Sequence, residues 1–368
     1  MTLPTISPLL EEHRGLGATF TDFAGWQMPL KYRSELTEHH AVRSTAGLFD
    51  LSHMGEIDIT GPQAGAALDF ALVGELSKVG IGRAKYSLMC NPEGGVIDDL
   101  VIYRLADEHF LVVANAANVP VVAREFALRA DGFDATVHDR SAQTALIAVQ
   151  GPAAHAVVQA LTPDAQTDTV AALKYYAVTR AVVAGIEVLL ARTGYTGEDG
   201  FELYVAAGAA APLWRALADG VAAVDGAPAG LACRDTLRLE AGMPLYGQEL
   251  TAATNPYEAG LGKVVRLTKD FVGRDALQQL SEQPVRRVLT GLRGTGRRAA
   301  RAGYALHHGD ADNPVGLVTS GALSPTLGYP IALAYLDAEL ATPDTEVTAD
   351  VRGRREPFDV TPSQFYRR

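Results

Sequence analysis

Two adjacent carboxylates, Asp98 and Asp99, lie in an apolar run that follows a Gly-Gly pair, within residues 94–103. Such a run is typical of a buried β-strand that begins after a turn. Because side chains alternate along a strand, the two carboxylates must point to opposite faces. A buried carboxylate needs a hydrogen-bond donor, a cation or a ligand as partner. The segment is equally compatible with an Asp satisfied by backbone amides and with one that binds a ligand.

A third acid, Glu202, lies between Phe201 and Leu203 in another apolar run. The run follows a glycine-rich segment at 192–200, where the backbone must turn sharply. A carboxylate at a position where a hydrophobic residue is expected has two interpretations. Glu202 either pairs with an arginine across a hairpin or faces a polar ligand.

A cation near a helix start is the next candidate. The pattern predicts a helix from about 234 to 241, closed by Gly242, with Arg234 at its beginning. The helix dipole disfavours a cation there, so Arg234 is expected to have a specific anionic partner. Asp235 and Arg238 are three residues apart, and we expect them to form an ordinary surface pair.

Metal and nucleotide chemistry have little support. Neighbouring His39 and His40 point about 100° apart on a predicted helix and cannot readily share one metal ion, even with His53 near by. No recognised zinc spacing, phosphate-binding loop or serine-hydrolase motif is present. Cys90 lies in an apolar strand and is expected in the core rather than as a nucleophile. The sequence therefore predicts no metal site.

Composition limits the class of protein. The chain has 368 residues, 48% of them hydrophobic, which is enough for more than one domain. Two cysteines are too few for a disulfide framework, which favours a cytoplasmic location. No apolar stretch approaches the roughly 18 residues of a membrane span, and the N-terminus has no leader pattern. We therefore expect no membrane association.

Charge argues against nucleic acid as a partner. The net charge is −11, which disfavours a broad nucleic-acid surface. One basic loop contains four arginines: Arg293, Arg297, Arg298 and Arg301. It is either a solvated turn or a docking patch for an acidic partner or an anionic ligand tail.

The order of predicted elements indicates an α+β fold. Helices are expected near 34–45, with Ser34 as N-cap and Gly47 just beyond the end, and near 119–130. A Gly-Pro pair follows a strand at 61 and again at 151, and each pair is expected to open a helix. Short strands separated by turns after about 280 predict a small all-β barrel or sandwich.

These segments together resemble the aminomethyltransferase family, the folate-dependent T-proteins of the glycine cleavage system. The matching phrases keep one order along nearly the whole chain. They are DFAGW at 22–26, FDLSHMGE at 49–56, GGVIDDL at 94–100, TGYTGEDGFE at 193–202, RDTLRLEAG at 234–242, LYGQE at 245–249 and SPTLG at 324–328.

The resemblance implies a three-module cloverleaf around a central folate channel. Its modules would be 1–48 with 141–280 as a folate-binding module, 49–140 as an inserted α+β module, and 281–368 as a β-barrel. The implied catalytic residue is Asp99, which would orient the folate and stabilise positive charge on its nitrogens. The implied folate-binding residues are Met54, Tyr86, Asp99, Asn115, Tyr175, Tyr195, Glu202, Arg234 and, from the C-terminal tail, Arg367.

The resemblance also implies an activity. A one-carbon unit would move from the aminomethyl-lipoyl arm of H-protein to tetrahydrofolate as co-substrate, with release of ammonia and formation of 5,10-methylenetetrahydrofolate. No metal is implied. The sequence departs from the family at Ala232-Cys233, where Gly-Ala is frequent before the Arg-Asp pair.

Three other functions are alternatives to this one. Dimethylglycine- and sarcosine-oxidising enzymes carry a long flavin-binding domain, for which this chain has no room. Non-enzymatic folate-binding proteins of iron–sulfur cluster maintenance carry a cysteine before the Gln-Glu pair, whereas Pro244, Leu245 and Tyr246 stand here without one. A metal-dependent hydrolase would use His39, His53 and Asp98.

Overall fold

A computed structural model describes residues 4–309 and 313–368. The chain forms two compact units. The first contains the described residues up to 71, with 75–87 and 100–234, and the second contains 72–74, 88–99 and the described residues from 235 on.

The helices of the described residues are α1 (Leu10–Gly15), α2 (Glu35–Ser44), α3 (Ala64–Ala71), α4 (Val119–Arg129), α5 (Ala154–Ala160), α6 (Asp164–Ala172), α7 (Ala210–Ala222), α8 (Leu231–Glu240) and α9 (Arg274–Ser281). The strands are β1 (Thr5–Ile6), β2 (Thr19–Phe23), β3 (Trp26–Lys31), β4 (Gly47–Asp50), β5 (Gly55–Thr60), β6 (Arg83–Cys90), β7 (Val96–Ala106), β8 (His109–Ala114), β9 (Thr136–Asp139), β10 (Thr144–Gln150), β11 (Val178–Val183), β12 (Ile186–Ala191), β13 (Gly200–Ala206), β14 (Ala227–Pro228), β15 (Arg287–Gly294), β16 (Ala305–His307), β17 (Gly316–Leu323), β18 (Pro330–Asp337), β19 (Glu346–Asp350) and β20 (Arg355–Thr361).

A six-stranded sheet in the order β11-β12-β13-β10-β4-β14 is the centre of the first unit. One of its faces packs on helices, because alternate residues of β10 and β13, such as Ile147 and Leu203, join one apolar core with α7. The helix contributes Leu213, Trp214 and Leu217, whose spacing of three to four residues makes an apolar stripe. The opposite face of the same strands is left for polar side chains.

A five-stranded sheet in the order β6-β7-β8-β5-β9 and a small sheet in the order β1-β3-β2 complete the strands that precede the barrel. Both predicted Gly-Pro turns are present: Gly61 has φ 125° and Gly151 has φ 130°, and α3 and α5 begin three residues later. A Cβ on Gly151 would lie 2.5 Å from the Thr45 carbonyl oxygen. Only glycine therefore fits either turn without strain.

The C-terminal strands form a closed barrel in the order β15-β18-β17-β16-β19-β20. The circle closes where β15 pairs with β20, as at Gly291 and Thr361. Leu292, Val318 and Phe358 fill its interior. The predicted α+β class and C-terminal barrel are confirmed, whereas the division into three modules at 48, 140 and 280 stays a prediction.

Three local expectations were wrong. Helix α2 ends at Ser44 with Thr45 as C-cap, and Gly47 instead begins β4. Helix α8 starts at Leu231, so Arg234 is its fourth residue rather than its first. Arg238 is no surface residue: it is 2% exposed, and it contacts Glu249 at 2.9 Å and Ser320 at 2.8 Å besides Asp235. The sequence pattern could not reveal that two further partners bury this guanidinium.

Candidate functional site

A row of side chains crosses the six-stranded sheet on the face opposite its helices. Ala191, Glu202, Ala148 and Phe49 are successive register partners on β12, β13, β10 and β4. The two alanines beside Glu202 are small, so they leave its carboxyl room above the sheet. Alternation along β13 therefore sends Phe201 and Leu203 into the core and Glu202 to the other side.

The Glu202 carboxyl is held on one side only. Its Oε2 atom accepts a short hydrogen bond from Thr193 Oγ1 and a longer one, at 3.4 Å, from the Tyr103 hydroxyl. The Tyr103 hydroxyl lies 2.8 Å from Thr193 Oγ1 and accepts a hydrogen bond from the Tyr204 hydroxyl at 3.3 Å. Among the described residues nothing donates to Oε1. The carboxyl is thus fixed in orientation with one acceptor oxygen available.

Burial of Glu202 disfavours its ionised form, and neighbouring donors and a nearby charge partly offset that effect. Burial raises the pKa of Glu202, and the Thr193 hydrogen bond, the Arg234 charge and the Tyr103 hydrogen bond limit the rise. Burial also raises the pKa of Tyr103 and Tyr204 well above the ordinary value, and the charge of Glu202 adds to this. Both tyrosines therefore act as neutral donors beside the carboxyl.

The glycine-rich turn before β13 is fixed by buried contacts. Gln150 donates to the Thr193 carbonyl oxygen at 3.1 Å and accepts from Thr196 Oγ1 at 3.0 Å. Arg43 donates to the Thr196 carbonyl oxygen at 2.7 Å and pairs with the buried Glu198 at 3.0 Å. The turn is therefore a rigid support for the residue between these anchors, Tyr195.

Arg234 and Tyr195 bring a cation and an aromatic ring to the same place. The Arg234 guanidinium carbon lies 4.7 Å from the centre of the Tyr195 ring, a cation–π arrangement. Both residues, with Glu202 and Phe49, line a small cavity of about 10 Å³. This volume holds about one water molecule, so the first unit by itself offers a polar wall rather than an enclosing pocket.

A buried histidine lies within the field of this arginine. His53 is buried, and neither of its ring nitrogens has a hydrogen-bond partner among the described residues. Burial first, and then the Arg234 charge, lower the pKa of His53 to about 3. Its ring packs edge-on against Phe23, with 5.2 Å between ring centres. His53 is therefore a neutral imidazole at any ordinary pH.

The other predicted residues of the first unit are spread more widely. Met54, Tyr86 and Asn115 are each partly buried, on the turn after β4, on β6 and just after β8. Tyr175 is 56% exposed and packs on Tyr176. Partial burial and then the charges of Glu202 and Asp199 raise the pKa of Tyr175. Tyr175 is therefore linked electrostatically to Glu202.

Two predicted residues belong to the second unit. Asp99 is partly exposed on β7, whereas Asp98 is 0% exposed, which agrees with their expected opposite faces. Arg367 is exposed in the C-terminal tail. The placement of Asp99 and Arg367 in one site with Glu202 stays a prediction.

Sequence reasoning missed the residues that orient the carboxyl. Thr193, Tyr103 and Tyr204 were not singled out. Thr193 lies in a segment used for the resemblance, Tyr103 ends the apolar run at 94–103, and Tyr204 is two residues from Glu202. A period of two along β13 could have identified Tyr204, because it must share a face with Glu202. Tyr103 is 99 residues away in sequence, and only the folded chain shows this contact.

Within residues 4–309 and 313–368, no group of three or more His, Cys, Asp or Glu side chains could hold a metal ion. No helix in these ranges is long and apolar enough to cross a membrane. Both cysteines are buried, which agrees with the expected core position of Cys90.

The chain is similar to proteins of known family over its whole length. A family model described as the GCVT N-terminal domain matches residues 9–269, and one described as the glycine cleavage T-protein C-terminal barrel domain matches residues 287–367. Curated proteins named aminomethyltransferase from Cutibacterium acnes and Saccharopolyspora erythraea are 56% and 55% identical, each over 100% of both chains. The crystal structure of glycine cleavage system aminomethyltransferase T from Bartonella henselae has a TM-score of 0.89 and 36% identity, and the match covers 99% of this chain and 98% of that one.

Proposed function

The chain belongs to the aminomethyltransferase family of the glycine cleavage system, and we propose that its Glu202 wall binds the pterin end of tetrahydrofolate. Family membership makes the chain a transferase of that system. The proposal also names the one-carbon acceptor and the donor protein. The non-enzymatic role in iron–sulfur cluster maintenance is not favoured, since the relatives over the full length are named aminomethyltransferases.

One observation supports the folate site above all others: Glu202 has a fixed Oε2 and an available Oε1 at the edge of a small cavity. A reduced pterin presents several N–H donors along one edge of a flat ring. A carboxyl that accepts from such donors while Thr193 holds its orientation suits that edge. Glu202 would therefore set the position of the ring.

Tyr195 and Arg234 fit the rest of a flat, partly anionic ligand. The Tyr195 ring offers an apolar surface for stacking, and Arg234 offers a planar donor for a carboxylate. The Arg234 charge also keeps more of Glu202 ionised than burial alone would allow. Met54, Tyr86, Asn115, Tyr175 and Arg367 are proposed to line the remainder of the folate site.

Asp99 is proposed as the residue that acts on the reacting end. When bound, tetrahydrofolate supplies the nitrogens that accept the one-carbon unit. Asp99 would hold those nitrogens in place and offset positive charge that develops there. Held reactants can gain about 7–11 kcal/mol from positioning in favourable cases, so alignment is the main contribution expected from the protein. The donor is proposed to be the aminomethyl-lipoyl arm of H-protein.

Calorimetry tests the folate site directly. We expect Glu202→Ala to weaken tetrahydrofolate binding by about 10- to 100-fold, the loss for a hydrogen bond to a charged group. Glu108→Ala is the matched control, since Glu108 is an exposed glutamate at the β7–β8 turn. Equal affinity in wild type and Glu202→Ala would remove Glu202 from the site.

A reconstituted assay tests the reaction separately. Aminomethylated H-protein is supplied with and without tetrahydrofolate, and ammonia release is followed. We expect release to be fast only when tetrahydrofolate is present, with 5,10-methylenetetrahydrofolate as the second product. An equal rate of ammonia release with and without tetrahydrofolate would contradict tetrahydrofolate as the acceptor, even if the protein binds it.

A further inference from the structure

A chain of three hydroxyl groups leads to the Glu202 carboxyl from inside the first unit. The Tyr204 hydroxyl lies 3.3 Å from the Tyr103 hydroxyl, which lies 2.8 Å from Thr193 Oγ1. Thr193 Oγ1 makes the short contact with Glu202 Oε2, and the Tyr103 hydroxyl lies 3.4 Å from the same oxygen. Tyr103 is 0% exposed and Tyr204 is 5% exposed, so bulk water has little access to these groups. The hydroxyl groups must therefore satisfy one another.

The number of protons fixes the direction of each hydrogen bond in this chain. A hydroxyl group has one proton and two lone pairs. Among the described residues the Tyr204 hydroxyl has one hydrogen-bond contact, so its proton goes to the Tyr103 oxygen. Tyr103 then donates forward, mainly to Thr193 Oγ1, and the Thr193 proton is left for Glu202 Oε2. The reverse direction would leave the buried Tyr204 proton without an acceptor, which is costly.

This direction decides which oxygen of Glu202 meets a ligand. Since Oε2 accepts from Thr193 and lies within reach of Tyr103, a neutral Glu202 carries its proton on Oε1. A ligand N–H group that donates to Oε1 therefore requires the ionised carboxylate. Burial raises the pKa of Glu202, and the hydrogen bonds from Thr193 and Tyr103 oppose that rise. The chain thus favours the form of Glu202 that accepts from a ligand.

Charges from other elements also act on this carboxyl and its chain. The Arg234 charge on α8 limits the rise that burial causes in the pKa of Glu202. Burial and then the charge of Glu202 raise the pKa of Tyr175, which follows α6. Burial is also the largest cause of the raised pKa of Tyr204, to which the charge of Glu56 on β5 adds. These groups act through space, whereas the three hydroxyl groups act through hydrogen bonds.

We propose that Tyr103 is a positioning residue of the transferase: through the Thr193 hydroxyl it holds the Glu202 carboxyl with Oε1 as the acceptor of ligand N–H groups, and Tyr204 holds Tyr103. The inference rests on the proposed folate site, to which it adds two residues that act through Glu202 rather than on the ligand. A pterin ring has N–H donors along one edge, so this orientation selects it over a flat ring without them.

Calorimetry with tetrahydrofolate from about pH 4 to 8 tests the role of Tyr103. We expect Tyr103→Phe to weaken binding near pH 7 at least about tenfold, because Thr193 loses its donor and Glu202 Oε2 loses a second one. The loss of affinity on acidification should move to higher pH, because the pKa of Glu202 rises without this hydrogen bond. Tyr204→Phe should weaken binding about two- to fivefold, since it removes one neutral hydrogen bond to Tyr103.

A double variant separates this role from a purely structural one. Tyr103→Phe alone leaves the Tyr204 proton without its acceptor and can lower the melting temperature. Tyr103→Phe combined with Tyr204→Phe leaves no such unpaired donor, so it should melt near wild type while keeping the affinity loss and the shifted acid limb of Tyr103→Phe. Tyr32→Phe is the matched control. It removes the hydroxyl of another buried tyrosine, which lies 2.9 Å from His13 Nδ1, and should leave folate affinity unchanged.

Kinetics give a second readout that loss of folding would not imitate. In the ammonia-release assay the double variant should raise KM for tetrahydrofolate at least about tenfold and keep kcat within about twofold, because Asp99 is unchanged. Equal affinity and an unshifted acid limb in wild type and the double variant would overturn the role of Tyr103 and leave the folate site in place. A wild-type protein that does not bind tetrahydrofolate would instead overturn the folate site, and this inference with it.

Discussion

Glu56 and Glu202 are two glutamates of the first unit that differ mainly in their partners. Each lies on a strand, each points away from the helices, and burial raises the pKa of each. Glu202 has Thr193, Tyr103 and the Arg234 charge to offset burial. The Glu56 carboxyl has no hydrogen-bond partner in the part of the chain that the structure describes, and it has an unfavourable neighbour in Asp139. A position on a strand therefore does not by itself define a site. The hydrogen-bond donors and charges around the carboxyl decide how strongly its ionised form is disfavoured.

The two acids are linked through Tyr204. Its hydroxyl donates to Tyr103, which contacts Glu202, and the charges of both Glu202 and Glu56 raise the pKa of Tyr204. Substitutions around either acid therefore test this difference, and their expected effects differ in size.

The largest effect is expected at a third acid, Asp99. Asp99→Asn should keep the fold and lower turnover by at least about 100-fold, the usual contribution of a positioned charge or proton acceptor. The ammonia-release assay measures this, and circular dichroism checks the fold. Near-normal turnover would remove Asp99 from the reacting end and leave Glu202 as the main acid of the site.

Removing the donor that orients Glu202 comes next. Thr193→Val leaves Glu202 Oε2 with only the long bond to Tyr103, and should weaken tetrahydrofolate binding by about 1–3 kcal/mol. Thr193→Ser retains the hydroxyl and is the matched control. If the valine and serine variants bind folate with equal affinity, the Thr193 hydrogen bond to Glu202 Oε2 does not contribute to binding. The proposed difference between Glu202 and Glu56 would then be wrong.

Arg234 gives a pH-dependent test of the same contrast. Its charge lowers the pKa of Glu202, so Arg234→Gln should raise that pKa and move the loss of folate affinity on acidification to higher pH. Arg234→Lys keeps the charge but not the guanidinium stacked on Tyr195, so it should retain the pH limb while binding more weakly. Affinity measured from pH 4 to 8 distinguishes them. An unshifted limb in Arg234→Gln would show that Glu202 is not the titrating group.

The smallest effect is expected for stability at Glu56. Its folded pKa lies above the unfolded value of about 4.3, so wild type loses stability as pH rises from there through the folded pKa. Glu56→Gln has no such loss. Its melting temperature should exceed that of wild type at pH 8 and approach it near pH 4. Parallel melting curves at all pH values would mean that Glu56 is not a protonated buried acid.

Parts of this structure could be predicted from the sequence because they follow local periodicity. Glu202 between Phe201 and Leu203 was identifiable as an acid on the polar face of a strand. The barrel was also predicted, but β16 has only three residues and β20 contains Pro357 among charged residues, so neither segment has the sequence pattern of a strand.

Other parts depend on contacts distant in sequence. The GEIDIT segment of β5 alternates polar and apolar residues, a pattern typical of a strand with one face in water. That pattern assigns Glu56 to solvent. Glu56 is instead 1% exposed, and its charge acts on Tyr204 of another sheet. No signal in the segment itself reports this.

The closure of the C-terminal barrel restricts how anything can attach to it. An open sheet offers a row of unpaired amides that can accept an extra strand from another polypeptide. Here β15 and β20 are already paired with each other, from Gly291–Thr361 to Gly294–Phe358. Recognition at this seam of the barrel therefore depends on side chains rather than on unpaired backbone amides. Sequence changes in those side chains can alter affinity for a partner without disturbing the hydrogen-bonded ring.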